Sequence, residues 1–312
     1  MARNINIMVV EDTETGRKHN MKILVTGAAG MLGSALCPTL AKERHKIFAT
    51  DLAAVDEGIE YLDVRGYKQI EEFVDRVKPD IVMHLAAETD VDKCELEPDH
   101  AFLTNTMGTQ NVSLVCQKRS IVMVYISTIG VFYGDKPEPY TEFDVPNPIN
   151  VYGRSKLEGE KIVQSLLNKY YIVRAGWMVG GGPKRDKKFV GKIIKKINET
   201  TVLKAVNDKV GSPTCTGDFS KCLTDLIETG YYGLYHCTNK GYGSRFDIAK
   251  KIVDFLGRSD VTVEPVSSAY FPLPAARARS EMSRNYKLEL LGKDTIRNWE
   301  DALKEYIDSC WK

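Results

Sequence analysis

Two residues able to exchange protons stand four apart in the stretch Tyr152-Gly153-Arg154-Ser155-Lys156. On a helix, that spacing sends both side chains off one face with Cβ atoms about 6 Å apart. A tyrosine phenol normally ionises near pH ~10. A fixed positive charge beside it favours the phenolate and lets it work as an acid closer to neutrality. A displacement of about three units requires roughly 4 kcal/mol, so a second charge held in the site has to help. Pairs of this kind also decorate solvated helix faces, where they do little. Two features set this one apart. None of the other fourteen tyrosines has a lysine four residues on, and the pair lies downstream of a glycine-rich turn.

That turn is Gly27-Ala28-Ala29-Gly30-Met31-Leu32-Gly33, between the apolar run Lys22-Ile23-Leu24-Val25-Thr26 and a helix expected over 34–42. A buried parallel strand reads as such a run. The glycines allow a tight turn and close approach of a pyrophosphate, whose charge then sits on the N-terminus of the helix that follows. The next strand, 46–50, ends on Asp51, which lies 24 residues after Gly27 and 18 after Gly33. A carboxylate at that place hydrogen-bonds a ribose 2′-hydroxyl and repels a 2′-phosphate, so NAD is favoured over NADP. A loop-capping aspartate is the structural alternative. The strand 80–87 runs into Leu85-Ala86-Ala87, whose small residues let the backbone lie against a cofactor, and His84 reads as structural. Around Thr89, Glu88, Asp90, Asp92 and Glu95 suit either a helix start or a face for sugar hydroxyls.

The elements that must position these groups follow in order. A helix is expected over 99–118, and a strand over 121–126 delivers Ser127 and Thr128 at the carboxyl edge, where open parallel sheets place ligands. A proline- and glycine-marked loop leads to the Tyr152 helix, which runs to about 168, and to a strand over 170–174. Beyond Trp177 the alternation stops. A flexible basic loop, 180–186, is a candidate lid or phosphate contact. Helical periodicity returns over 189–198, 217–229, 245–256 and 295–311, and 233–237 is a short strand able to rejoin the main sheet. The fold class is therefore α/β: a Rossmann-type doubly wound parallel sheet over 21–176, with 207–237 returning to it, and a smaller substrate-binding lobe making up most of 177–312. Residues 1–20 read as an extension with a short strand at 4–10. They lack the apolar core of a signal peptide.

A net charge of +1 and no basic cluster interleaved with aromatics argue against nucleic acid. No apolar run approaches the ~20 residues that span a bilayer. The seven cysteines are scattered without metal-ligand spacing, which fits reduced thiols in the cytoplasm and no metal.

The chain resembles the extended short-chain dehydrogenases/reductases, and most closely the dTDP-4-dehydrorhamnose reductases. The resemblance runs from Met21 nearly to the end. It rests on GAAGMLG (27–33), AAETDVDKCELEP (86–98), YISTIGVF (125–132), PYTEFDVPNPINVYGRSKLEGE (139–160), NDKVGSPT (207–214) and ARARSEMSRNYKLELLG (276–292). It implies reduction of the C4 keto group of a nucleotide-activated 4-keto-6-deoxy sugar by NADH or NADPH. Thr128, Tyr152 and Lys156 would form the catalytic trio: Tyr152 protonates the keto oxygen, Thr128 hydrogen-bonds it, and Lys156 binds the nicotinamide ribose. Cofactor contacts would come from Gly27, Gly30, Met31, Leu32, Asp51, Asp63, Val64, Leu85, Ala86, Ala87, Thr89 and Asn105, the last also ordering the catalytic network. Trp177 would lie near the sugar, 211–214 would border the nucleotide, and Arg277 would meet the diphosphate. A homodimer is the assembly the resemblance allows, and the acidic residues that hold a bridging Mg²⁺ in some members have no match. Three departures bear on the substrate: Ile129-Gly130 in place of Asp-Tyr, Glu88 in place of an aromatic, and Ala278 in place of proline. The alternatives are an NAD-dependent nucleotide-sugar epimerase or dehydratase, suggested by Phe132-Tyr133-Gly134, and a non-catalytic regulatory subunit of the same fold.

Overall fold

In the structure, a computed structural model, residues 20–53 and 57–312 are described. The strand expected at 4–10 lies outside them. In chain order the first half comprises β1 (Lys22–Thr26), α1 (Gly33–Lys42), β2 (Lys46–Asp51), β3 (Ile59–Tyr61), α2 (Tyr67–Val77) and β4 (Ile81–His84). It continues with α3 (Val91–Leu96), α4 (Pro98–Phe102), α5 (Gly108–Arg119), β5 (Val122–Thr128), α6 (Val151–Leu166) and β6 (Tyr170–Ala175).

These six strands and Gly233–His236 form one parallel sheet. From one edge the order is Gly233–His236, β6, β5, β4, β1, β2, β3. The chain builds outward from β1 in one direction and then restarts at β4 on its other side. A crevice opens at the carboxyl ends of those two strands. The strand residues alternate between two apolar layers, as the period-2 geometry of a strand requires. Ile23, Val25, Ile81 and Met83 join Leu36 and Leu40 of α1 and Phe219 and Leu223 of the helix Thr216–Ile227. Leu24, Val82, Met123 and Ile172 face Ile70 and Phe73 of α2, Val112 of α5 and Val163 of α6. Both faces of the sheet are thereby covered, and its strands read as near-continuous apolar runs.

The second lobe has its own core. Helices Phe189–Ile197, Arg245–Phe255 and Trp299–Cys310 pack with a two-stranded parallel sheet, Val202–Val206 against Thr262–Val266. Short pairings, Trp177–Val179 with Pro213–Cys215 and Val210–Gly211 with Gly243–Ser244 and Ser280–Glu281, stitch it to the sheet's ligand edge.

The structure differs from the sequence expectations at several points. Of the stretch 207–237 only Gly233–His236 rejoins the main sheet, Val210–Gly211 and Pro213–Cys215 pairing outside it, and β4 is shorter than the expected 80–87. The single helix expected over 99–118 is α4, then a π-helical turn at Leu103–Met107, then α5. The turn accommodates Asn105, whose amide is tied on two sides. The loop 180–186 contains a helical turn, Gly182–Arg185. The last helix starts at Trp299 rather than 295, because Asn298 caps it by accepting from the Glu300 N–H at 2.8 Å.

Candidate active site

The catalytic face of α6 is fixed at its first turn. Asn150 caps the helix by accepting from the Gly153 N–H at 2.8 Å, and its own amide donates to the Ala276 carbonyl at 2.9 Å. The Val151 N–H donates to Glu95 Oε2 at 2.9 Å. A Cβ on Gly153 would stand 2.4 Å from the Gly130 carbonyl oxygen, so only glycine lets α6 lie this close to the turn after β5. Thr128 ends β5, and its hydroxyl oxygen accepts from the Gly130 N–H at 3.0 Å. The Thr128 hydroxyl lies near enough to the Tyr152 phenol to favour its ionised form. Lys156, only 3% exposed, holds Nζ 4.2 Å from the centroid of the Tyr125 ring.

Burial drives the Tyr152 phenol well above its usual value. The Thr128 hydroxyl pulls the other way, and the Glu281 carboxylate adds a small push upward. Burial also brings Lys156 down to about 7, opposed by the Glu160 carboxylate. The expectation that a fixed ammonium lowers the phenol is corrected for the protein alone: the lysine has lost its own water, and desolvation governs both groups. Tyr152 is thus a neutral proton donor here.

Asn105 is fully buried in the π-helical turn. It accepts from the Glu88 N–H at 2.8 Å and donates to the Glu88 carbonyl at 3.0 Å and to Ser155 Oγ at 2.9 Å. Ser155 in turn donates to the Tyr152 carbonyl at 2.8 Å. Both amide protons of Asn105 are engaged by protein, so the residue positions α6 against the segment after β4 rather than presenting its side chain to a cofactor. His84 bonds Thr26 Oγ1 at 2.9 Å and Thr109 Oγ1 at 3.1 Å, and burial, then the Lys156 charge, take it down to about 3. It is a neutral structural residue.

At the β1–β4 crevice Gly27 has φ of 72°, and a Cβ there would stand 2.6 Å from the Ala86 nitrogen. Gly33 packs so tightly that a Cβ would meet the Ala28 carbonyl oxygen at 2.4 Å. The Ala28, Ala29 and Gly30 N–H groups have protein acceptors, whereas those of Met31 and Leu32, just ahead of α1, have none among the described residues. Leu32 supplies no side-chain cap, and α1 has no acidic residue in its first turn. This open helix N-terminus fits a dinucleotide pyrophosphate. Asp51 accepts from the Ala29 N–H and the Ala53 N–H, each at 3.0 Å, which fixes the glycine turn as well as placing a carboxylate at the end of β2. Asp63 is forked by Arg65 with contacts of 2.7–3.0 Å, which holds it below the usual carboxylate range, and Val64 is buried beside Gly108. Leu85, Ala86 and Ala87 are half-buried along the crevice. Thr89 receives Lys188 Nζ at 2.9 Å on its carbonyl and 3.2 Å on its hydroxyl.

The four carboxylates after β4 are engaged structurally. Asp90 caps α3, Glu88 pairs with Lys93 at 3.0 Å, Glu95 holds α6, and Asp92 pairs with Arg277 at 2.8 Å. Arg277 also donates to the Ala275 carbonyl at 2.9 Å, so it reaches the cleft already anchored. Trp177 donates from Nε1 to Glu281 Oε2, and its ring lies 3.8 Å from the Arg245 guanidinium carbon, which also faces Phe189 at 4.9 Å. Glu281, Arg245 and Lys188 are site residues that sequence reasoning does not single out. No local motif flags them, and Arg245 reads simply as the first residue of a helix capped by Ser244.

Fold and site together define a Rossmann-type oxidoreductase of the short-chain dehydrogenase/reductase kind. The chain belongs to the family described as the RmlD substrate binding domain, whose model matches residues 21–311. It is similar to a dTDP-4-dehydrorhamnose reductase of Mycolicibacterium smegmatis, 32% identical over 288 residues that make up 92% of this chain and 85% of that protein. Among solved structures, a dTDP-4-dehydrorhamnose reductase of Clostridium acetobutylicum is 39% identical with a TM-score of 0.87, covering 94% of this chain and all of that one. The reductase of Bacillus anthracis in complex with NADP is 37% identical with a TM-score of 0.87, covering 93% of this chain and 100% of that one. No helix among the described residues is long and apolar enough to cross a membrane.

Proposed function

We propose that this protein reduces the C4 keto group of a dTDP-linked 4-keto-6-deoxy sugar in deoxysugar biosynthesis. The observation that carries the reading is the juxtaposition of Thr128 and the Tyr152 phenol at the sheet's carboxyl edge, with buried Lys156 one helical turn on. Similarity to reductases of this name at 32% identity or more supports the substrate class. A reduced nicotinamide, when bound, supplies the hydride. Tyr152 hydrogen-bonds the substrate's keto oxygen and gives it the phenolic proton as that oxygen becomes a hydroxyl. Thr128 donates to the same oxygen and steadies the charge that develops there. Lys156 holds the nicotinamide ribose and compensates the phenolate left on Tyr152. Gly27, Met31 and Leu32 cradle the pyrophosphate, and Ala86, Ala87 and Thr89 line the other lip. Arg277, oriented by Asp92, meets the sugar nucleotide's diphosphate, and Trp177 bounds the sugar.

Asp51 supports a preference for NADH over NADPH, since a 2′-phosphate would meet its carboxylate. The seven free cysteines suit a reducing, cytoplasmic setting. The test is incubation with a panel of nucleotide 4-keto sugars and each reduced nicotinamide, following loss of its absorbance and the identity of the product. Reduction of a dTDP-4-keto-6-deoxy sugar is expected. Failure to reduce any keto sugar in the panel would overturn the assignment.

A further inference from the structure

The wall of the cleft opposite Tyr152 carries a carboxylate to which the trio gives no task. Glu281 ends the short strand Ser280–Glu281, which pairs with Val210–Gly211. One of its oxygens, Oε2, accepts from the indole N–H of Trp177. That indole is itself fixed. The Trp177 N–H of the backbone donates to the Ser212 carbonyl at 2.9 Å, and Arg245 stacks on the ring at 3.8 Å. A Cβ on Gly211 would stand 2.5 Å from the ring. The other oxygen, Oε1, has no hydrogen-bond donor among the described residues. It faces Gly130: the point where a Gly130 Cβ would stand lies 3.3 Å from Glu281 Oε1 and 3.3 Å from Thr128 Oγ1. One point over Gly130 thus lies within reach of both the hydroxyl assigned to the keto oxygen and a carboxylate oxygen without a donor.

We infer that Glu281 is a specificity-determining residue that accepts a hydrogen bond from the hydroxyl on the ring carbon next to the carbonyl being reduced. This rests on the reductase reading above, because it takes Thr128 as the partner of the keto oxygen. Two vicinal oxygens of one sugar then meet Thr128 and Glu281 together, which fixes the ring's rotation about the reacting carbon. A sugar lacking that hydroxyl leaves Oε1 desolvated and unpartnered, the situation in which polar sites discriminate most strongly. Gly130 is part of the device, since any side chain there would occupy the space.

The test compares a dTDP-4-keto-6-deoxy sugar with its 3-deoxy counterpart on wild type, Glu281→Ala and Glu281→Gln, with reduced-nicotinamide affinity measured on each protein as the control for folding. Wild type is expected to favour the hydroxylated sugar by about 100-fold in kcat/KM, short of the extremes reached by fully closed sites. Glu281→Ala should lose about that factor on the hydroxylated sugar alone, so that the two sugars become nearly equal. Glu281→Gln keeps an acceptor for Trp177 and should fall between. An equal loss on both sugars, or an unchanged preference in a variant that binds cofactor normally, would overturn the inference. Should Glu281→Ala fail to bind cofactor, Glu281→Gln decides the matter, and an unchanged preference there likewise refutes the inference. Wild type that reduces neither sugar refutes the reductase reading itself, a failure visible before any variant is made.

Discussion

Burial favours the uncharged form of both Tyr152 and Lys156, raising the phenol and bringing the ammonium down to about 7. Lysine's ordinary value is 10.5, so a ribose that hydrogen-bonds the ammonium restores the charged form and raises its pKa on binding. The bound state then holds more protons than the free one between about pH 7 and 10, and affinity for the reduced nicotinamide falls as pH rises through that window. Calorimetry in buffers of differing ionisation enthalpy should show uptake approaching one proton at mildly alkaline pH and little below pH ~6, and Lys156→Met should abolish it. Uptake unchanged in Lys156→Met would assign the proton elsewhere. At the same scale, Asp51→Ala should erase the preference for NADH over NADPH, read as the ratio of the two kcat/KM values. A wild type that already prefers NADPH strongly would refute the role given to Asp51. The tyrosine and lysine were legible because their chemistry is local: four residues on one helix and a threonine 24 positions before Tyr152. Glu281 and Arg245 were not, because each acquires its meaning from Trp177, 104 and 68 residues away in the chain.

At the scale of elements, α6 carries the site and is gripped on both sides. Asn105 ties it to the segment after β4, and a buried ion pair ties it to β6. Glu160 on α6 takes both nitrogens of an Arg174 fork at 2.8 and 2.7 Å, with Ser127 Oγ adding a third bond at 2.5 Å. The two side chains are 2–3% exposed. Removing one partner strands the other charge, which costs about 3–5 kcal/mol. Glu160→Ala should therefore lower the melting temperature by about 10 °C. It should also weaken the charge that supports the Lys156 ammonium, so the lysine's pKa moves down further. A melting temperature within about 2 °C of wild type would mean the pair contributes nothing net. The strands and most helices of this layer were readable from apolar runs and 3.6-residue periodicity. The π-helical turn was not, because it exists to seat one polar amide among partners 17 and 50 residues away.

At the scale of the whole molecule, the second lobe reaches across the cofactor crevice. Arg185 Nε donates to the Ala29 carbonyl at 3.0 Å on the β1 lip, and Lys188 grips Thr89 on the β4 lip. Gly180, Gly181 and Gly182, with φ of 152°, 83° and 60°, form the bend that brings this segment over. The expected loop is thus a strap spanning both lips. Lys188→Ala should speed release of the reduced nicotinamide several-fold in stopped-flow fluorescence with little effect on association, since most such changes fall on the dissociation rate. An unchanged release rate would show that the strap does not retain the cofactor. The doubly wound sheet was legible from the order of runs and turns, and the broken alternation after Trp177 marked a second lobe. The pairing of Val202–Val206 with Thr262–Val266 was hidden, because strands 60 residues apart with a helix of another layer between them leave no local trace of their register.

The most direct measurement is the turnover of a dTDP-4-keto-6-deoxy sugar by Tyr152→Phe, set beside its affinity for the reduced nicotinamide. Loss of the phenolic proton with the ring retained should cut kcat by about 10²–10⁴-fold while leaving that affinity within about threefold of wild type. Wild-type turnover in Tyr152→Phe would contradict the account at its centre.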